Sequence, residues 1–148
     1  MSRKPLSPRL QDTVRLSADG LAKVLGDLEA RVMQAVWDAE VPSPARAIHE
    51  RIVDEHPVAL LTVITVLNKL VGKRLLRRRK IDDLLHFEAI LSEEELMAHA
   101  SRRIVEGVLG LAPEAVAASL VDVLAERDPE QLAELGRLIR RKLREQGE

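Results

Sequence analysis

Thr62, Thr65 and Asn68 stand three positions apart in one short segment, with Lys69 next to the last and four from Thr65. A run of cations follows directly: Lys73, Arg74, Arg77, Arg78, Arg79 and Lys80. The chemistry open to the first set is recognition of base edges. An asparagine amide can pair bidentately with adenine, a threonine can hydrogen-bond an edge or touch a thymine methyl, and a lysine can reach guanine or phosphate. The second set places six positive charges within eight residues and no acid among them. Alternation along a strand would let about half of these face one phosphate backbone at a time. A dimer making roughly six to ten phosphate contacts would lose about 10³–10⁵ in affinity between 50 and 200 mM salt. The same residues would also suit a solvated helix face and a charged edge strand that resists pairing.

The elements around these residues favour the first reading. Val63, Val66, Leu67, Leu70 and Val71 follow the i, i+3, i+4, i+7, i+8 ladder of a helix with one buried face. With that ladder inward, the opposite face shows Leu61, Thr65, Asn68, Lys69 and Gly72, with Thr62 at its margin, and Gly72 closes the helix. The stretch Leu75–Lys80, a turn at Asp82–Asp83 and a return through Leu85–Phe87 predict a short hairpin. Upstream, Leu28, Val32, Met33 and Val36 mark a helix from Asp27 that ends before Val41–Pro42. Ser43 then reads as an N-cap and Pro44 as the first residue of a helix burying Ile48 and Ile52. Three helices followed by a hairpin within about 65 residues is the winged helix-turn-helix order.

Three further helices are expected. Ser92–Glu93–Glu94–Glu95 is a capping box opening a helix to about Leu109, with Leu96, Ala100, Ile104 and Val108 on one side. Pro113 opens the next, with Val116, Leu120, Val123 and Leu124 inward. Asp128–Pro129–Glu130–Gln131 is a second capping box before Leu132, Leu135 and Ile139. The fold class is therefore mostly α: a winged helix-turn-helix domain with a small hairpin wing, then a helical domain. The expected division is a flexible basic arm over 1–22 with a helical turn near Leu21–Leu25, a DNA-binding domain over 23–91, and a dimerisation domain over 92–148.

Composition narrows the function classes. Aromatics are 1% of the 148 residues, too few for stacking of unpaired bases to dominate. The net charge of −1 conceals an asymmetry: residues 1–80 carry 15 Lys+Arg against 9 Asp+Glu, and residues 81–148 carry 8 against 15. A basic front and an acidic rear suit one part facing phosphates and another with a different task. The absence of cysteine excludes disulfides and thiolate metal sites. His49, His56, His86 and His99 have no i, i+3 or i+4 spacing among them, so no metal ligand set is expected. Glu93–Glu95 fit a helix start, and no nucleophile, triad or phosphate-cradling loop accompanies them. The chain is expected to be no enzyme and to need no cofactor. No apolar run reaches the length of a membrane span and no export signal is evident, which points to the cytoplasm. Trp37 and Phe87 read as core residues.

The stretch Leu25–Gly26–Asp27–Leu28–Glu29, Val32–Met33 and Val36–Trp37 resembles the opening of the penicillinase-repressor family (BlaI/MecI type, with the copper-responsive CopY branch). So does Thr62–Val63–Ile64–Thr65–Val66–Leu67–Asn68–Lys69–Leu70 followed by Lys73–Arg74–Leu75–Leu76–Arg77–Arg78. The resemblance implies a homodimeric repressor whose winged-helix domains grip a palindromic operator of double-stranded DNA. It assigns Thr62, Thr65, Asn68 and Lys69 to reading or positioning, and Lys73, Arg74, Arg77 and Arg78 to phosphates. Leu96, Ala100, Ile104, Val108, Val116, Leu120, Leu124, Leu132, Leu135 and Ile139 become the dimer surface, since a palindrome needs two reading helices held about a helical turn of DNA apart.

Three departures qualify the resemblance. Leu60 and Leu61 stand where many relatives have tyrosine and threonine. Asp82 and Asp83 replace a glycine–arginine wing tip. A membrane sensor protease cuts classical members between an asparagine and an aromatic residue, and Arg103–Ile104 stand there instead. Two alternatives remain open at this stage: a winged-helix adaptor that binds protein and has lost DNA, and a repressor gated by a small ligand or haem near the dimer helices.

Overall fold

The computed structural model describes Pro8, Arg9, Gly20 and residues 25–147. The expected arm and the turn near Leu21 lie mostly outside the described residues. Helix α1 (Asp27–Ala39) opens with Asp27 and Glu29, acids that complement the positive end of its dipole. It buries Val32, Met33, Ala35 and Val36 and closes on Glu40, whose φ of 60° turns the chain back. Trp37 is half-buried, and its indole N–H donates to the Leu91 carbonyl at 3.1 Å.

The next segment departs from the sequence reading. Ser43–Pro44 form a two-residue strand, β1, and helix α2 (Ala45–Ile52) begins one residue later with no side-chain cap. Ser43 is buried, and its hydroxyl donates backwards to the Val41 carbonyl at 2.9 Å. A serine with an acceptor two residues upstream and a sheet partner alongside has no call to cap a helix.

Helix α3 (Leu60–Gly72) follows the predicted ladder: Val63, Val66, Leu67 and Leu70 are buried and Val71 is half-buried. The helix ends at the expected Gly72, and the left-handed residue that turns the chain follows two positions later. Arg74 takes the left-handed conformation, φ 64°. Its N–H donates to the Val71 carbonyl at 3.1 Å, and that of Leu75 to the Leu70 carbonyl at 3.0 Å. This pair of bonds is the Schellman motif, completed by Leu75 and Leu70, both fully buried.

Strands β2 (Leu76–Ile81) and β3 (Leu84–Ala89) form the hairpin, in antiparallel register from Leu76↔Ala89 to Ile81↔Leu84. Asp82 and Asp83 both have positive φ, 51° and 62°. A two-residue loop of this kind demands glycine, asparagine or aspartate, so the acidic tip has a conformational cause. Strand β1 joins the outer side of β3, giving the order β1-β3-β2. The core of this part is Leu25, Val32, Met33, Ile48, Leu67, Leu70, Leu75, Leu76 and Phe87.

Helix α4 (Glu93–Leu109) starts at the predicted capping box: the Glu95 N–H donates to Ser92 Oγ at 3.1 Å, and the Ser92 N–H to Glu95 Oε1 at 3.2 Å. Helices α5 (Pro113–Arg127) and α6 (Pro129–Gln146) follow. The second capping box is only half formed. Asp128 Oδ1 accepts from the Gln131 N–H at 3.2 Å, while the Asp128 N–H closes α5 on the Leu124 carbonyl. The chain divides into two compact units, Met1–Arg102 and Arg103–Glu148, with the division inside α4. The architecture is a winged helix-turn-helix unit and a helical C-terminal region.

Candidate nucleic-acid interface

Leu61, Thr62, Thr65, Asn68, Lys69 and Gly72 are all exposed, on the side of α3 opposite its buried ladder. The helical period aligns Leu61, Thr65, Asn68 and Gly72 in one stripe. Arg78 joins that stripe from β2: its Nη1 donates to Asn68 Oδ1 at 2.8 Å. The helix and the wing therefore present one continuous surface. The hydroxyl of Thr65 donates to the Leu61 carbonyl at 3.0 Å, and Asn68 Nδ2 donates to the Ile64 carbonyl at 3.1 Å.

The cationic run does not act as one cluster. Lys73, expected at a phosphate, instead reaches back to α1, where its ammonium sits 2.6 Å from Glu29 Oε2. Their side chains keep only 25% and 14% of their exposure, so this charge is withdrawn from solvent and already matched. Arg74 is half-buried, its place fixed by the helix-ending turn. Arg77 Nε lies 2.7 Å and Arg79 Nε 3.5 Å from the same Glu88 Oε1. Pleating sends Arg77 and Arg79 to one face of the hairpin and Arg78 and Lys80 to the other, beside the α3 stripe.

Sequence reasoning missed both carboxylates. Glu88 was within reach of it: a hairpin turning on Asp82–Asp83 places residue 88 opposite residue 77. Glu29 was not, because its contact with Lys73 depends on how α1 packs beside α3. Two of the histidines meet backbone carbonyls: His49 Nε2 lies 2.7 Å from the Val58 carbonyl, ahead of α3, and His86 Nδ1 lies 2.9 Å from the Leu84 carbonyl. Among the described residues no group of three or more His, Asp or Glu could hold a metal ion. None of their helices is long and apolar enough to cross a membrane.

In the C-terminal helices the expected dimer residues divide. Leu96 and Ala100 are buried within the single chain, at 0% and 5% exposure. Ile104, Val108, Val116, Leu124, Leu132 and Leu135 are half-buried. Leu120 and Ile139, with Val123 beside them, were expected inward and are open to solvent at 44–48%. Neither α5 nor α6 buries any residue completely. An apolar groove of about 670 Å³ runs between the end of α4 and α5, lined by Val105, Val108, Leu111, Val116, Leu120 and Val123. On α6 a hydrogen bond from Arg137 holds the Glu134 carboxyl below its usual range, and the arginine is raised in turn. The pair lies at the surface, where solvent screens it, so it adds little to stability.

Known proteins share this pattern. The sequence profile of the penicillinase repressor family matches residues 25–141. The protein named transcriptional regulator BlaI in Mycobacterium tuberculosis, in strains CDC 1551 / Oshkosh and ATCC 25618 / H37Rv, is 34% identical over 74 residues. That match covers 50% of this chain and 54% of each relative, so it spans about half of their length. With the profile extending across most of the sequence, from the residue before Gly26 to the last turns of α6, the chain belongs to the penicillinase-repressor family.

Proposed function

We propose that this protein is a dimeric, DNA-binding transcriptional repressor that occupies a palindromic operator, with α3 in the major groove of each half-site. The carrying observation is the surface formed by the exposed stripe of α3 and by Arg78, bonded together through Asn68. Thr62, Thr65, Asn68 and Lys69 lie at the duplex, and Lys69, Arg78 and Lys80 supply the phosphate contacts. The family and the name of its relatives support the regulatory role. A second copy is the occupant proposed for the open apolar faces of α5 and α6, which a solitary chain leaves in water. Release by proteolysis at Arg103–Ile104 would require α4 to unwind, because both residues are half-buried in its middle.

An electrophoretic shift on the DNA upstream of the protein's own gene tests this reading. Three phosphate contacts per protomer make six per dimer, a salt slope of about −5.4, and a loss of about 10³ in affinity between 50 and 200 mM salt. The absence of any shift at 50 mM would overturn it. That result would favour a second reading, a winged-helix adaptor for protein partners, which draws on the wing tip. There Asp82 and Asp83 adjoin Leu84 and Leu85, exposed at 53% and 43%, a surface ill-suited to a phosphate-lined groove.

A further inference from the structure

Two polar side chains of the α3 stripe, Thr65 and Asn68, already make hydrogen bonds within the chain. Thr65 Oγ1 donates to the Leu61 carbonyl. Asn68 Nδ2 donates to the Ile64 carbonyl, and Asn68 Oδ1 accepts from Arg78. These two bonds fix the orientation of the amide and leave it one N–H and one lone pair, so a bidentate pair with adenine would have to be made without turning it. Beside Thr62, the first two turns expose apolar groups: the Leu61 side chain, 72% exposed, and the γ-methyl of Thr65, whose hydroxyl is tied to the helix backbone. These two lie four residues apart, one above the other on the helix surface. An isolated leucine on a surface means little by itself. Here it occupies the leading turn of the helix face assigned to the major groove, next to a threonine presenting a methyl.

We infer that Leu61 and the Thr65 methyl recognise thymine C5-methyl groups in the operator half-site, and that Asn68 positions Arg78 instead of reading adenine. The inference rests on the DNA-binding reading above. The C5-methyl is the one apolar group a base pair shows in the major groove, and contact with it needs no hydrogen bond from the protein. Dehydrating a methyl between Leu61 and thymine contributes about a fourfold change in affinity.

Selection from a randomised duplex pool by the full chain at 50 mM salt gives the preferred half-site. Each enriched thymine is then replaced by uracil, which removes the methyl and keeps every hydrogen-bonding group. Uracil is expected to weaken binding about fourfold at one or two positions. Leu61→Ala, on an exposed site that leaves the fold intact by circular dichroism, should bind thymine and uracil duplexes equally at the position Leu61 covers. Leu61→Met should restore the preference. Equal binding of thymine and uracil duplexes by the unaltered protein overturns the inference and leaves DNA binding standing. So does an undiminished thymine preference in Leu61→Ala. Failure to enrich any sequence overturns the DNA-binding reading itself.

Discussion

Replacing Lys73 by methionine separates two roles that the sequence leaves merged. The cation sits at the exit of the reading helix, where a phosphate contact would be natural, yet its ammonium is 2.6 Å from Glu29 Oε2. Exposed ion pairs contribute about 0.2–1 kcal/mol, and breaking a buried one costs about 3–5 kcal/mol because the remaining charge is stranded. With exposures of 25% and 14%, this pair lies between those limits. Loss of Lys73 should therefore destabilise the winged-helix unit by about 2 kcal/mol. For a unit of this size that lowers Tm by about 8–16 °C, at roughly 4–8 °C per kcal/mol. DNA affinity should keep its salt dependence, since no phosphate contact is removed. Lys80→Met should do the reverse: an unchanged Tm, and a slope shallower by about 1.8 for a dimer, at 0.9 per contact. Thermal unfolding of each variant, with filter binding from 50 to 200 mM salt, reads both quantities. A Lys73→Met protein with intact Tm and a shallower slope would refute the assignment of Lys73 to Glu29.

Arg74→Gly should raise stability by about 0.5 kcal/mol in urea unfolding, because a left-handed arginine costs about 1–2 kcal/mol and glycine returns part of that as chain entropy; a loss would mean that the half-buried guanidinium anchors the turn. Ser92→Ala removes the acceptor for the Glu95 N–H and should cost about 1 kcal/mol, with faster hydrogen exchange at Glu95; unchanged exchange would count against the capping box. Leu120→Asp places a charge on the open face of α5 and, by symmetry, twice in a two-fold interface. It should convert the dimer to monomer in sedimentation velocity and weaken operator binding, whereas a variant that still sediments as a dimer places the interface elsewhere.

The legible parts of the fold were those written in a local period or a short reciprocal pattern. The α3 ladder is such a case: Val63, Val66, Leu67 and Leu70 repeat at the helical period and are all buried. Ser92 and Glu95 are another, since both bonds of the box lie within four residues. The Asp82–Asp83 turn follows from two residues that tolerate positive φ between runs of strand formers. Strand β1 escaped because two residues cannot show alternation, and Ser43–Pro44 has the same composition as a capped helix start. Gly72 does end α3, but the left-handed residue is Arg74 and not the glycine, because the buried pair Leu70–Leu75 completes the motif there.

The candidate site was legible in its outline but not in its chemistry, for one physical reason. Which residues face outward is fixed by the helical period, and Thr62, Thr65, Asn68 and Lys69 are indeed exposed. What each exposed group can still do depends on the bonds it already makes, and those are set by chain segments the period does not reveal. Arg78 meets Asn68 from ten residues away, and Glu29 meets Lys73 from forty-four. Once these bonds are counted, a hydroxyl is tied to its own helix, an amide is joined to a guanidinium, and a lysine becomes a tie between two helices. A cationic run followed by a carboxylate-bearing strand should therefore be divided by its cross-strand partners before phosphates are assigned to it. Here that division leaves Arg78 and Lys80 on the face beside α3, with Arg77 and Arg79 gathered at Glu88 on the other. On the proposed DNA-binding reading, fewer free cations mean less sequence-independent affinity, which shifts the expected discrimination between duplexes onto the groups of α3 itself.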